Sequence, residues 1–215
     1  QSKYPSFRHN DLKANNVLVH KIAKRSSLFS YTICKQEFAV PNIGYLTKIW
    51  DFDFACIPGI VNNLKVSAEW TSHINVIPKQ NRYYDVHYFF NTLIKRGFFP
   101  EFTTSSYIPK DAKEFVKRVV PSKYRTGKYV AKKGRILTDI EYLTPKDILL
   151  YDSYFKEFRV ENKNKSKSKK KFKLPNVSSK ELSELRKENS KYKKKKYVII
   201  GNSSDSYKKI TKTSS

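Results

Sequence analysis

Residues 9–16 read HNDLKANN, with a carboxylate at Asp11, an amine at Lys13 and an amide at Asn16, and the stretch runs straight into the apolar NVLV. A second acidic group follows in KIWDFDFA, where Asp51 and Asp53 flank Phe52. These residue types suit phosphoryl transfer. One carboxylate must orient the attacking hydroxyl, and an amide oxygen with a further carboxylate must hold a divalent cation. An ammonium must offset charge on the moving phosphoryl group. Other reactive side chains are poorly placed, since Cys34 and Cys56 lack metal-ligand spacing and the four His are scattered. Two ordinary half-buried thiols in a reducing compartment are expected.

Such groups need rigid elements to hold them. Residues 1 to about 60 carry strand-like runs rich in aromatic and β-branched residues: NVLV (16–19), FSYTI (29–33), QEFAV (36–40) and YLTKIWDFDFA (45–55). PNIG (41–44) is a turn signal, so short strands joined by hairpins are expected. Residues 80–160 have helical spacing. YYDVHYFFNTLIKRG sets Val86, Phe89, Phe90, Leu93 and Ile94 on one face, with Gly97 as the stop. DAKEFVKRVVP sets Phe115, Val116, Val119 and Val120 together, with Asp111 and Glu114 as a capping-box-like start and Pro121 as terminator. TPKDILLYDSYFKEF starts with Thr144 as N-cap and Pro145 at the first helical position, its apolar face running through Ile148, Leu149, Tyr151, Phe155 and Phe158.

The formal net charge is +25, and much of it lies in NKNKSKSKKKFK and KENSKYKKKKY after residue 161. Lys blocks with few large apolar residues repel themselves and bury too little to offset ordering entropy, which predicts a disordered tail over 161–215. Within it SSKELSELRKENSKY could form a marginal helix in which Ser178 and Glu181 cap each other. With 39% hydrophobic and 14% aromatic residues, a packed core is expected over 1–160 only. The sequence has neither a run of about 18 apolar residues nor a signal-peptide pattern, so no membrane span is expected. It opens at Gln1 and contains no Met, which reads as a piece of a larger protein.

At these residues the sequence resembles the eukaryotic-type protein kinase superfamily. The family's H-R-D-L-K-x-x-N is matched at His9, Asp11, Leu12, Lys13 and Asn16, and its D-F-G at Asp51 and Phe52. The resemblance implies that Asp11 is the catalytic base-like residue and Lys13 the contact to the γ-phosphate of ATP. It makes Asn16 and Asp51 the Mg²⁺ ligands. His9 becomes a packing and hydrogen-bonding post under Phe52. Asp85, early in a buried central helix, would bond the backbone of the catalytic loop. The implied fold is α+β, a mainly helical kinase C-lobe with short β-hairpins around the catalytic and metal loops. The style of HNDLKANN, IWDFDFA and NRYYDVHYFFNTL is similar to Ser/Thr kinases of large DNA viruses, implying an intracellular setting in host cytoplasm or virion.

Departures from the family pattern carry expectations of their own. Asn10 replaces the Arg that pairs with an activation-loop phosphate, so activity should not depend on such a phosphate. Asp53 replaces Gly, and Asp tolerates the left-handed region well enough to keep the turn while stiffening it; its carboxylate either assists metal binding or, the favoured reading, faces solvent. HKIAKRSSLFSYTICKQEFAVPNIGY (20–45) reads as an insertion extending a hairpin, a decorative loop. No A-P-E motif follows Asp53. No Gly-rich phosphate loop or strand lysine precedes His9, which implies a catalytic lobe that needs an N-lobe, from the same protein or from another chain, and is inactive alone. Its upper surface would then expose apolar residues. Lys13 favours Ser/Thr protein substrates over small molecules or tyrosine. The alternative is an inactive pseudokinase scaffold, or a protein that binds nucleic acid or other polyanions through its basic tail.

Overall fold

The computed structural model describes residues 1 and 3–161, and the expected disorder and marginal helix of the Lys-rich tail lie outside them. The fold is α+β, a set of short helices beside two small antiparallel sheets.

Strand β1 (Val17–Lys21) leaves the HNDLKANN loop and pairs antiparallel with a later strand whose end leads into DFD. Between them lie β2 (Leu28–Ile33) and β3 (Gln36–Pro41), and that later strand is β4 (Tyr45–Ile49). Val17 faces Ile49 and Lys21 faces Tyr45.

The β2–β3 hairpin is a separate sheet rather than an extension of the first. Its two-residue turn, Cys34–Lys35, has φ of 51° and 67°. Both values are positive, as a primed turn between right-twisted strands requires, although Asn-Gly is the usual choice there. The hairpin is not a loose decoration. Val160 donates its N–H to Glu37 O at 2.9 Å, Gln36 Nε2 donates to Val160 O at 2.9 Å, and Phe38 is only 3% exposed. Asn42 ties the two sheets together, donating to Ala23 O at 3.1 Å and accepting from Gly44 N at 2.9 Å.

The helices are α1 (Glu69–Ser72), α2 (Tyr84–Leu93), α3 (Lys110–Val119) and α4 (Pro145–Tyr151). Helix α2 forms where the spacing predicts one, but its most buried face is not the apolar one. Tyr84, Asp85, His87, Tyr88, Asn91 and Thr92 are buried, while Val86, Phe89, Phe90, Leu93 and Ile94 are half-buried. The reason is that α2 lies inside the molecule and must hydrogen-bond the loops around it.

Helix α3 buries Phe115, Val116 and Val119 as expected. Its start differs: Pro109 is the N-cap, Asp111 accepts from the adjacent Ala112 N–H at 3.0 Å, and Glu114 pairs with Lys117 at 2.8 Å. The helix begins one residue before Asp111, which moves both acids off capping positions. Helix α4 has the expected Thr144 cap, completed by Asp147: Thr144 Oγ1 accepts Asp147 N–H at 3.1 Å, and Asp147 Oδ2 accepts Thr144 N–H at 3.0 Å. Beyond α4, Tyr154 stacks on Phe115 at 4.7 Å and Phe155 meets it edge-on at 5.5 Å, closing the core.

Candidate active site

The loop before β1 hangs from α2. Asp85, buried near the start of that helix, accepts the backbone N–H of His9 at 2.7 Å and of Asn10 at 2.8 Å. Burial pushes its carboxyl up from the ordinary value, opposed by those two amides and by the charge of Arg8. Arg8 is itself buried. It donates to Asn75 O at 2.5 Å and Lys79 O at 2.9 Å and lies 3.9 Å from the centre of the Tyr84 ring. Arg8 and Cys56 exchange backbone hydrogen bonds at 3.1 and 3.0 Å, bringing the chain after DFD back against the loop.

Asn10 adopts φ 65°, a left-handed conformation that Asn tolerates better than most residues. Its side chain is fully buried and donates to Phe54 O at 2.9 Å and to Cys56 Sγ at 3.5 Å. An amide thus stitches the two loops together where the kinase pattern has Arg.

Asp11 is 6% exposed. Lys13 Nζ lies 2.7 Å from its Oδ2. Asn16 Nδ2 donates to the Asp11 backbone carbonyl at 2.8 Å and to Oδ2 at 3.1 Å. The remaining oxygen, Oδ1, accepts from Arg135. The structure therefore gathers Asp11, Lys13 and Asn16 around one carboxylate.

Trp50 links this group to the second loop through its backbone. Its N–H donates to Asn16 O at 3.1 Å, and its carbonyl accepts from His9 Nε2 at 3.0 Å. The His9 ring sits 4.9 Å from that of Phe52. Asp51 follows with φ 62°. The left-handed residue is therefore Asp51 and not Asp53, which shows no positive φ; position 53 makes no demand that only glycine or its substitutes meet. The Asp53 side chain is 68% exposed and pairs with Lys65 at 2.9 Å.

Among the described residues no group of three or more His, Cys, Asp or Glu stands ready for a metal. Asn16 and Asp51 still fit Mg²⁺, which keeps several waters and takes only one or two protein oxygens when phosphates supply the rest. Both Asn16 hydrogen bonds use Nδ2, which leaves Oδ1 for a hard cation.

Sequence reasoning missed three contributors and saw in Asn10 a departure without its structural role. Arg8 lies just outside the motif, Trp50 acts here through its backbone, and Arg135 is remote in sequence.

Two loops joined in this way, one around a buried Asp-Lys-Asn group and one carrying Asp51, form the candidate site. The family model for poxvirus serine/threonine protein kinases matches residues 2–159, and the chain belongs to that family. A relative from Acanthamoeba polyphaga mimivirus, R400, named as a candidate serine/threonine-protein kinase, is 48% identical over 162 residues, or 73% of this chain. That match spans 34% of the relative, so the chain corresponds to about a third of its length. No solved structure matches. No helix among the described residues is long and apolar enough to cross a membrane.

Proposed function

We propose that this chain carries the phosphoryl-transfer half of a viral serine/threonine protein kinase, arranged as a kinase C-lobe. The observation that carries the reading is the buried Asp11 carboxylate bracketed by Lys13 and Asn16, with Trp50 fastening that group to the Asp51 loop. Asp11 Oδ2 accepts the proton of a Ser or Thr hydroxyl as the hydroxyl oxygen bonds to the γ-phosphorus of ATP and the bond from that phosphorus to the β,γ-bridging oxygen breaks, releasing ADP. Lys13 turns from Asp11 to the transferring phosphoryl group and offsets its charge. Asn16 Oδ1 and the Asp51 carboxylate would hold Mg²⁺, which would offset the charge of the phosphates. His9 fixes the Trp50 carbonyl and supports Phe52.

The parts that grip the nucleotide, a Gly-rich loop and strand lysine, come on this reading from an N-lobe outside residues 1–161. Leu18 and Trp50 support it, because each is about half exposed (49% and 50%), Leu18 on the face of the β1–β4 sheet opposite to that of Val17 and Ile49, and Trp50 where the chain leaves β4. An apolar surface of that kind marks a contact face.

The test is phosphate transfer from ATP to a Ser/Thr peptide by the full-length protein. Asp11→Asn and Asp51→Asn should each lower kcat by about a hundredfold or more; Asp51→Asn should leave the melting temperature close to wild type, whereas Asp11→Asn, which strips the buried Arg135 of its carboxylate, should also lower it. A wild type no faster than either variant would sink the reading.

A further inference from the structure

We infer that Arg135 is a positioning residue for Asp11: its guanidinium holds Oδ1 so that Oδ2 faces the place where the substrate hydroxyl is activated. The inference rests on the kinase reading above.

Arg135 lies between α3 and α4, in a stretch fixed on both sides. Ala131 N–H donates to Arg135 O at 2.8 Å, and Leu137 N–H to Tyr129 O at 2.8 Å. The neighbouring carbonyls are held from elsewhere, Gly134 O by Asn91 Nδ2 at 2.9 Å and Ile136 O by Asn75 Nδ2 at 3.0 Å. Gly134 has φ +95°, and a Cβ there would come within 3.1 Å of Lys95 Cε and 3.3 Å of Thr92 Cγ2. The positive φ is what favours glycine here, with the nearby side chains of α2 and the turn after it leaving little room besides.

From that anchored backbone the side chain passes 4.4 Å from the centre of the Tyr88 ring and ends on Asp11. Arg135 is 8% exposed, and its Nε has no acceptor among the described residues. Burying a charged pair carries a desolvation penalty that apolar residues of similar size avoid, so such a pair is weak evidence of a stabilising role. An orphaned donor makes a purely stabilising role weaker still.

The division of labour at Asp11 supplies the reason for the contact. Lys13 and Asn16 both hold Oδ2, yet both have other work during transfer, on phosphate and on cation. Once Lys13 turns away, Arg135 still fixes the carboxylate, and it does so from the oxygen the substrate does not use. Misplacing a reacting group by about 1 Å can cost on the order of a hundredfold in rate.

The experiment compares full-length wild type, Asp11→Asn, Arg135→Gln, Arg135→Ala and the double variant Asp11→Asn/Arg135→Gln, with ATP and peptide varied. Arg135→Gln should lower kcat by about ten- to a hundredfold with KM for peptide within about twofold, and free guanidinium ion should restore part of the loss in Arg135→Ala. In the Asp11→Asn background the same substitution should cost nothing further, because two residues acting as a unit are not additive. Arg135→Lys covers the case in which the neutral variants do not fold: it keeps the charge but not the fork, and kcat should fall by about fivefold or more. Wild-type kcat in the Arg135 variants, a raised kcat, or a loss seen only in KM would overturn the inference and leave the kinase reading standing. A wild type no faster than Asp11→Asn would overturn the kinase reading and this inference with it.

Discussion

A single side chain, Asn10, shows how much of the site hangs on uncharged groups. The kinase pattern has an Arg there, and the resemblance alone says only that a phosphate partner is missing. In the structure the position is occupied by a fully buried amide that ties the catalytic loop to the Phe54 carbonyl. The link between the two loops is therefore built in rather than conferred by modification. Phosphatase treatment of the purified kinase should leave its rate unchanged; a fall of tenfold or more would refute this. Asn10→Ala removes the donor, leaves the Phe54 carbonyl short of a partner and places Ala in a left-handed conformation. It should lower stability by about 2 kcal/mol in urea unfolding. Residue types made Asp11, Lys13, Asn16 and Asp51 legible in the sequence, because they bear unusual chemistry at fixed spacing. Asn10 was visible only as a departure, since a buried hydrogen bond to a carbonyl distant in sequence leaves no local pattern.

At the scale of elements, periodicity located α2, α3 and the start of α4 but not the four-residue α1, and the apolar face it picked out on α2 is not the most buried one. Its apolar stripe packs against the core, yet the most buried positions are Asp85, His87, Asn91 and Thr92 beside two tyrosines. Each of these polar side chains has a partner: Asp85 the loop amides, His87 the Tyr124 carbonyl, Asn91 the Gly134 carbonyl and Thr92 the Tyr88 carbonyl. A hydrophobicity pattern cannot see this, because it scores polar residues as exposed. The Thr144 cap was legible, as Thr-Pro-x-Asp is a local signal with a local partner. The start of α3 was not, because several acids near a helix end compete for one capping role. Two predictions belong here. Asp85→Asn puts an NH₂ group against one of two buried N–H donors and should cost about 3 kcal/mol in chemical denaturation, with activity falling as the loop loosens. Thr144→Ala should cost only about 1 kcal/mol and leave kcat unchanged, since α4 does not reach the site.

For the molecule as a whole, the link between α2 and the 124–142 region sets its tolerance of acid. His87 is 0% exposed, with Nε2 donating to Tyr124 O at 2.6 Å and its ring edge-on to Tyr83 at 5.5 Å. Tyr83 in turn packs edge-on to Tyr142 at 5.4 Å and donates its hydroxyl to Val119 O at 2.7 Å. Burial pushes the His87 pKa down from 6.5 to about 4, with the nearby charge of Lys95 acting in the same direction and the Tyr124 carbonyl against it. The folded protein therefore keeps His87 neutral where the unfolded chain protonates it. Between those two values the unfolded state binds more protons, so stability falls as pH drops from about 6.5 towards 4, by up to roughly 3 kcal/mol. Asp85 works in the opposite direction: its raised carboxyl takes up a proton in the folded state before it would in the unfolded one, which favours folding as pH falls towards the ordinary Asp range. The two effects separate by difference. His87→Gln should be less stable than wild type at neutral pH, and its deficit should shrink steadily as urea midpoints are measured from pH 7 to pH 4.5. A deficit that stays constant across that range would show that His87 does not titrate with folding, and the acid sensitivity would then lie elsewhere in the core.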